Sequence, residues 1–162
     1  MKLLFGPHTI RASEIFFTSK YSFGLVNLKP VVPGHVLVIS RRVVDRVTNL
    51  TPDEVSDMFQ SAQLISTEIE KFHKAESMTI TVQDGPKAGQ TVPHVHIHLI
   101  PRRTGDWLEN DDIYPEIERK EKELGKELKR VDADRVAREP NEMANEAAIY
   151  RKMFKQYDNI WE

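Results

Sequence analysis

The chain has three histidines at two-residue intervals in the stretch Pro93-His94-Val95-His96-Ile97-His98-Leu99-Ile100-Pro101. Successive side chains of a β-strand point to opposite faces, so residues two apart share a face. We therefore expect a strand in which Val95, Ile97 and Leu99 pack into the core while the imidazoles form a row on the other face. Imidazole is the side chain best suited to exchange protons near neutral pH. Such a row indicates a metal site, or acid–base and nucleophilic chemistry on a phosphorylated substrate.

A metal site is one interpretation of the row. Zn²⁺ binds imidazole nitrogens at about 2.0–2.1 Å, and catalytic zinc sites with three histidines exist. Residues two apart on one strand face are about 6.6–6.8 Å apart, which puts the outer pair about 13 Å apart and makes convergence of all three on one ion poor. No carboxylate lies close in sequence on the same face. We therefore predict that the site holds no metal; activity lost on chelation and restored by stoichiometric zinc would contradict this.

Nucleophilic chemistry suits a row of imidazoles better. The central histidine, His96, could attack a phosphorus atom in line and form a covalent phosphoramidate. His98 could then donate a hydrogen bond or a proton to the departing oxygen. A main-chain carbonyl or another histidine would hold the tautomer of His96. A purely structural role is disfavoured, because each buried imidazole would need its own hydrogen-bond partner.

The loop before the histidine strand provides groups that suit a phosphate. Gly85 and Gly89 allow the backbone to approach closely, while Gln83, Gln90 and Thr91 supply polar groups. If the strand that ends at Gln83 pairs with the histidine strand, and both turn their apolar side chains to the core, Gln83 shares the face of the histidines.

Composition limits the class of protein. The 162 residues suit one domain over 1–162, and 23 Lys+Arg against 25 Asp+Glu give a formal net charge of −2, with no general reason for nucleic-acid or membrane binding. There is no cysteine, which excludes disulfide scaffolds and cysteine nucleophiles. We expect neither a signal peptide nor a membrane helix, because the first residues lack a long apolar core and no stretch approaches about 20 apolar residues. We expect a cytoplasmic protein, with the nucleus as a second compartment.

Periodicity predicts an α+β fold. Strands are indicated by period-two or β-branched runs at 15–18, 23–27, 35–39, 77–83 and 93–101. A long helix over about 52–73 is predicted to begin at a capping box in which Thr51 and Glu54 participate.

The last third of the chain changes character. Over 102–139, 22 of 38 residues are charged, which predicts a charged flexible excursion with a frayed helix around 116–129. A C-terminal helix is predicted over 141–157, with Asn141 as its cap and one apolar stripe that consists of Met143, Ala147, Tyr150, Phe154 and Tyr157.

The stretch His94–Ile100 resembles the histidine triad signature, His-φ-His-φ-His-φ-φ, in which φ is apolar. Two further stretches, Asn27–Val38 and Gln83–Val92, resemble the fragile histidine triad branch, the bis(5'-adenosyl)-triphosphatases. The likeness covers residues 3–115 and, more weakly, the last helix. It implies the histidine triad fold, an antiparallel sheet of about five strands that extends across a homodimer.

This resemblance also implies a reaction, the cleavage of diadenosine triphosphate to AMP and ADP through a nucleotidyl-histidine. It assigns His96 as the nucleophile and His98 to the leaving group, with His94 and His35 orienting the nucleophile. Asn27 would hold the ribose, and Gln83 with the 89–92 loop would hold the phosphates. The implied substrate contacts are His8, Asn27, Gln83, Gly89, Gln90, Thr91, Val92 and His98. No tightly bound cofactor is implied; Mg²⁺ or Mn²⁺ would accompany the substrate phosphates.

Two further interpretations stay open at this point. The site could belong to a nucleotide-binding signalling module that recruits partners through the 102–139 segment, in which Tyr114 resembles a phosphorylated tyrosine of the family. Related phosphoramidase or uridylyltransferase chemistry is another alternative, and the uridylyl branch is disfavoured by the third histidine, His98. The sequence leaves open whether three or four phosphates are preferred.

Overall fold

The computed structural model describes residues 2–128 and 138–155. Its centre is a five-stranded antiparallel sheet in the order β3-β4-β5-β7-β6, and a two-stranded sheet, β1-β2, lies apart from it. The strands are β1 (Leu4–Phe5), β2 (His8–Thr9), β3 (Ile15–Thr18), β4 (Ser22–Val26), β5 (Val36–Ser40), β6 (Ser77–Thr81) and β7 (His96–Arg102). The predicted α+β class with about five strands is confirmed; β1 and β2 were missed because two residues carry no periodicity.

Helix α1 (Pro52–Phe72) is the long predicted helix, and its start has the predicted capping box. The backbone N–H of Glu54 donates to the Thr51 hydroxyl at 3.2 Å, and the Glu54 carboxylate accepts from the Thr51 N–H at 2.9 Å. Its buried face packs against β4, β5 and β7. Because strand side chains alternate, Ile97 and Leu99 join the core with α1 while His96 and His98 face the other way.

Helix α3 (Pro140–Met153) is the predicted C-terminal helix, with small differences at its ends. It begins one residue earlier, with Glu139 as the cap residue, because proline fits the first turn where its missing N–H costs nothing. Four members of the predicted stripe are buried, namely Met143, Ala147, Tyr150 and Phe154. The part of the prediction over 156–157 lies outside the described residues.

The 102–139 segment departs most from its prediction. It contains the end of β7, a short 3-10 turn at Asn110–Asp112 and a full helix, α2 (Ile113–Leu128). Counting charges alone was wrong here, because α2 has a buried apolar face, formed by Ile113, Ile117, Leu124 and Leu128. The frayed helix proposed around 116–129 corresponds to α2. The flexibility of the segment stays a prediction, and residues 129–137 lie outside the described part.

The single domain predicted over 1–162 is compatible with the buried core, which joins side chains from β1 through to α3. Within the described residues, no helix has the length and apolar character that crossing a membrane requires.

Candidate active site

The rings of His96 and His98 lie side by side in the interior, between β7 and α2, with centroids 5.1 Å apart. All three histidines of the row are buried, although only His96 and His98 belong to β7, and His94 lies in the bend just before it. The predicted strand over 93–101 therefore begins three residues late. Phe5 of β1 packs edge-on against the His96 ring, with ring centroids 4.9 Å apart and an interplanar angle of 85°. This contact was not predicted, since β1 is distant from β7 along the chain.

The tautomer of His96 is set by the backbone. Its Nδ1 lies 2.7 Å from the carbonyl oxygen of His94. A carbonyl only accepts, so Nδ1 must donate, and Nε2 is the nitrogen that faces the site. This is the main-chain carbonyl that the sequence analysis considered as one way to hold the nucleophile.

The ring of His94 points away from His96. Its Nδ1 accepts a hydrogen bond from the Gly6 N–H at 2.9 Å, and its Nε2 donates to the carbonyl oxygen of Ser40 at 2.6 Å. Burial lowers the pKa of His94 to about 4, so the ring is neutral at pH 7. His94 thus contacts His96 through its carbonyl oxygen, while its ring ties β7 to β5 and to the β1–β2 turn.

A chain of hydrogen bonds fixes His98 in the same way. The Val31 N–H donates to His35 Nδ1 at 2.9 Å, so His35 carries its proton on Nε2 and donates it to His98 Nδ1, also at 2.9 Å. His98 must then carry its own proton on Nε2, which faces the site. Burial lowers the pKa of both His35 and His98, so both rings are neutral. In the structure His35 orients His98, rather than the central histidine.

A carboxylate that was not predicted from the sequence lies over the two histidines of β7. Glu121 of α2 is 1% exposed, and its Oε1 lies 3.0 Å from His96 Nε2. Its Oε2 is 3.4 Å from His98 Nε2, and neither of these two atoms has a hydrogen-bond partner. Helix spacing places Glu121 between Ile117 and Leu124, on the buried face of α2. A carboxylate on an apolar helix face needs a partner, and this was the signal that could have found it.

Glu121 and His96 change each other's protonation. Burial lowers the pKa of His96, but the charge and hydrogen bond of Glu121 raise it by more, so its pKa lies above the ordinary value. Burial raises the pKa of the Glu121 carboxyl, yet the attraction of His96 and His98 outweighs burial and holds that pKa well below its usual range. Each member of the pair therefore favours the charged form of the other, the imidazolium of His96 and the carboxylate of Glu121.

Of two further predicted substrate contacts, Asn27 lies beside His35 and Gln83 lies beside Gly89 of the loop. Asn27 is buried, with its amide nitrogen 3.2 Å from His35 Nε2 and its Oδ1 accepting from the Lys29 N–H at 2.9 Å. The buried Oε1 of Gln83 has no hydrogen-bond partner. Gly89, with φ of +97°, is fixed as glycine, since a Cβ there would lie 2.5 Å from Gln83 Nε2.

The other two polar residues of the predicted phosphate loop, Thr91 and Gln90, contact different parts of the protein. Thr91 reaches α2: its N–H lies 3.4 Å from Glu121 Oε1, and its hydroxyl donates to the carbonyl oxygen of Glu121 at 2.6 Å. The Gln90 side chain is engaged within the loop region, where it accepts from the Gly85 N–H at 3.0 Å and donates to the Asp45 carbonyl at 2.9 Å. Gln90 thus supports the loop rather than offering a free amide.

Three remaining candidates lie around the edge of this region. Val92 is buried in the core. His8 is on β2, opposite Phe5 in the register. Tyr114, the predicted phosphorylation target, is the second residue of α2 and is half exposed. The structure does not test their predicted roles, which stay predictions.

The structure also bears on the metal interpretation. His96, His98 and Glu121 each offer a ligand atom, and these atoms lie within 4.8 Å of one another. The sequence argument against a metal rested partly on a missing carboxylate, and α2 supplies one. Two imidazoles and a carboxylate are a ligand set that zinc accepts. The absence of a metal therefore stays a prediction.

Comparison with known proteins identifies the family. The family model of the HIT domain matches residues 10–105 of this chain. An Arabidopsis thaliana protein named bifunctional bis(5'-adenosyl)-triphosphatase/adenylylsulfatase FHIT is 51% identical over 150 residues, covering 93% of this chain and 83% of that protein. A Dictyostelium discoideum bis(5'-adenosyl)-triphosphatase is 47% identical over 155 residues, covering 96% and 95% of the two chains.

Solved structures agree with the sequence comparison. The Plasmodium falciparum diadenosine triphosphate hydrolase in complex with cyclomarin A superposes with a TM-score of 0.75 at 28% identity, covering 96% of this chain and 85% of that one. The Caenorhabditis elegans NitFhit protein also has a TM-score of 0.75, at 41% identity, covering 94% of this chain and 30% of that longer chain. With its histidine triad, its five-stranded sheet and these relatives, the chain belongs to the HIT domain family, and its resemblance to the bis(5'-adenosyl)-triphosphatases is confirmed.

Proposed function

We propose that this protein hydrolyses dinucleoside polyphosphates, and that it cleaves diadenosine triphosphate to AMP and ADP through a nucleotidyl intermediate on His96. The names of its relatives support this substrate class. The observation that carries the chemistry is the hydrogen bond from His96 Nδ1 to the His94 carbonyl oxygen, at 2.7 Å, because it leaves Nε2 as the reactive nitrogen. An anionic group, the Glu121 carboxylate, already lies 3.0 Å from this atom.

The reaction would proceed in two displacements at one phosphorus. When substrate replaces Glu121, His96 Nε2 gives up its proton to the departing carboxylate, which passes it to solvent. The neutral nitrogen attacks the α-phosphorus; a nitrogen–phosphorus bond forms, the bond to the bridging oxygen breaks, and ADP departs. The Nε2–H of His98 donates a hydrogen bond to the departing oxygen, in a tautomer fixed by His35. Water then attacks the same phosphorus, the nitrogen–phosphorus bond breaks, AMP leaves, and the proton of the water passes to solvent.

Other groups around the site have roles in binding. Asn27 would hold the ribose, and the amide Nε2 of Gln83 would donate to the phosphates together with the 89–92 loop. Mg²⁺ or Mn²⁺ would enter with the substrate, since Mg²⁺ retains its waters and is commonly bound through phosphates.

A rapid-quench experiment tests this function. Enzyme mixed in stoichiometric amount with diadenosine triphosphate labelled in the α-phosphate should carry label on protein at early times. His96→Ala should remove both the label and the turnover, with kcat falling by about 10⁴–10⁶-fold, as when other nucleophiles are removed. His73→Ala, which removes a half-buried histidine beside α3, should retain both. Full turnover by His96→Ala would refute the covalent route, and the same assay with diadenosine tetraphosphate would measure the phosphate preference.

A homodimer is part of the proposal. Strand β6 is a free edge of the described sheet, and it presents Ile80, 49% exposed, beside the exposed Phe59 of α1. A free edge with apolar side chains favours pairing, and two copies joined at this edge would form one continuous sheet. A cytoplasmic and additionally nuclear location, and the absence of nucleic-acid and membrane partners, remain predictions from the sequence.

The signalling alternative has one observation in its favour. Tyr114 is exposed on α2, and the same helix places Glu121 between the histidines. A nucleotide that reached His96 would therefore alter the helix that presents Tyr114. Pull-down of partners with and without nucleotide, measured beside turnover, would separate this function from plain hydrolysis.

A further inference from the structure

Glu121 occupies the position that the proposed function gives to a substrate phosphate. Its two carboxylate oxygens lie 3.0 Å from His96 Nε2 and 3.4 Å from His98 Nε2. These nitrogens are the ones that would attack phosphorus and assist the leaving oxygen. A carboxylate and a phosphate are both anions that accept from N–H donors. The Glu121 carboxylate and a substrate phosphate therefore cannot contact this pair of buried nitrogens at the same time.

Further contacts hold α2 over the site. Gly125 packs so closely on the loop before β7 that a Cβ at this position would lie 2.7 Å from Thr91 Oγ1. The Thr91 hydroxyl donates to the carbonyl oxygen of Glu121 at 2.6 Å, and the Lys29 ammonium lies 3.7 Å from the Glu123 carboxylate. The loop that was assigned to substrate phosphates is therefore also engaged by α2.

We infer that α2 is an internal competitor of the substrate: it docks Glu121 on the catalytic histidines and must withdraw before a dinucleoside polyphosphate can bind. This inference rests on the proposed function. In the free protein Glu121 then occupies the substrate site, and only the fraction of molecules with α2 withdrawn can bind substrate. The apparent affinity for substrate is then reduced by that fraction.

The ion pair at the middle of α2 opposes withdrawal only weakly, whereas the buried apolar side chains at its two ends hold the helix more firmly. A buried ion pair contributes little net stability, because the loss of hydration offsets most of the attraction between the charges. A polyphosphate brings more negative charge to the same two nitrogens, and so exchanges one anion for a stronger one. Lys29, which lies near Glu123 in the docked state, would be released at the same time.

Competition has a kinetic signature that distinguishes it from catalysis. A group that only blocks binding raises KM and leaves kcat unchanged once substrate saturates the enzyme. If Glu121 instead acted on the reacting atoms, its removal would lower kcat. If it served only the stability of the fold, its removal would lower the unfolding temperature and leave KM unchanged.

Two variants weaken the docked state from different directions. Glu121→Gln keeps the shape of the side chain and removes its charge, while Gly125→Ala improves helix propensity but forces a Cβ against Thr91. Each variant should lower KM for diadenosine triphosphate and leave kcat unchanged. For Glu121→Gln we expect about a tenfold decrease in KM, because a charged hydrogen bond is replaced by a neutral one. The matched control is Glu116→Gln, which removes a carboxylate of α2 that pairs with Arg119 and should leave KM within about twofold.

Hydrogen exchange of the backbone amides reports directly on the docking of α2. Addition of AMP to the wild-type protein should increase exchange of the α2 amides by about tenfold or more while the α3 amides stay unchanged, because loss of a docking contact opens a helix locally. Protein for both experiments is treated with EDTA and desalted before Mg²⁺ is added, since His96, His98 and Glu121 could also hold zinc.

Several outcomes would overturn the inference. These are an unchanged KM in both variants, a fall in kcat for Glu121→Gln, α2 amides that AMP leaves unchanged or protects, or a Glu121→Gln effect that appears only with added zinc. Failure of the proposed function is distinguishable: wild-type protein would then release no AMP from diadenosine triphosphate, while the exchange experiment with AMP would still show whether an anion displaces α2.

Discussion

Helices α2 and α3 both come from the charged last third of the chain, yet their buried faces are of different kinds. The buried face of α3 is apolar and aromatic, and Tyr150 and Phe154 pack on Phe16. The buried face of α2 has apolar side chains at both ends and the Glu121 carboxylate in the middle. One helix is held by burial of apolar surface, and the other partly by an ion pair with the catalytic histidines.

The difference separates structural from functional packing. Apolar burial contributes about 25 cal/mol per Å² and has no competitor in solution other than unfolding. A buried ion pair is close to neutral in net free energy, and any stronger anion can replace the carboxylate. Each helix also faces a histidine, His98 for α2 and His73 for α3, so matched changes can be made on the two sides.

The largest expected difference between the two sides comes from His98 and its counterpart, His73. His98→Ala should lower kcat by about 10²–10⁴-fold, because the hydrogen bond to the leaving oxygen is lost. His73→Ala, on the α3 side, should leave kcat within about twofold. Steady-state release of AMP measures both. Equal losses in the two variants would mean that the α2 side is not the chemical one, and the comparison would fail.

The next effect concerns stability. Tyr150→Ala should lower the free energy of unfolding by about 3–5 kcal/mol, since it empties a fully buried aromatic site between α3 and β3. Glu121→Gln should change it by less, because burial lowers the pKa of His96 once the carboxylate is gone, so the ring loses its proton and leaves no unpaired charge in the interior. Urea unfolding followed by circular dichroism gives both values. A larger loss for Glu121→Gln would assign α2, and not α3, the structural role.

The smallest effect is a pH dependence of α2 docking. The pKa of His96 is raised in the folded state, so its share of the ion pair is fully present below about pH 6.5 and is lost as pH rises through the raised value. The pKa of Glu121 is lowered, so its share is present above about pH 4.3 and is lost only as pH falls through the lowered value. Docking should therefore weaken on the alkaline side.

The ratio of wild-type KM to Glu121→Gln KM isolates the pH dependence of α2 docking, because titration of the substrate phosphates affects both values equally and cancels. It should fall a few-fold as pH rises through the His96 transition. The other ionisable groups around the pair are His94, His98 and His35, which are neutral there because burial lowers their pKa values, and Arg138, whose charge contributes to lowering the pKa of His35. A ratio that stays constant from pH 6 to 9 would contradict a role for the His96 charge.

The elements that were predicted well from the sequence are those that local sequence patterns determine. The alternation of His96, Ile97 and His98 predicted β7, and the capping box at Thr51 and Glu54 placed the start of α1. The triad motif with its two flanking stretches resembles the family to which the chain belongs. In each case the information lies within a few neighbouring residues, where hydrogen bonding and side-chain direction repeat with a fixed period.

The site needed the tertiary structure. His35 and His98 are 63 residues apart in the chain, and His96 and Glu121 are 25 apart, so their contacts depend on how the strands and α2 are arranged. The sequence by itself determined which strand holds the histidines and what chemistry they suit. Only the tertiary structure decided which nitrogens face the site, and that a carboxylate of this same chain lies between them. The reason is physical: periodicity fixes the face of an element, whereas proximity between elements depends on the packing of the whole core.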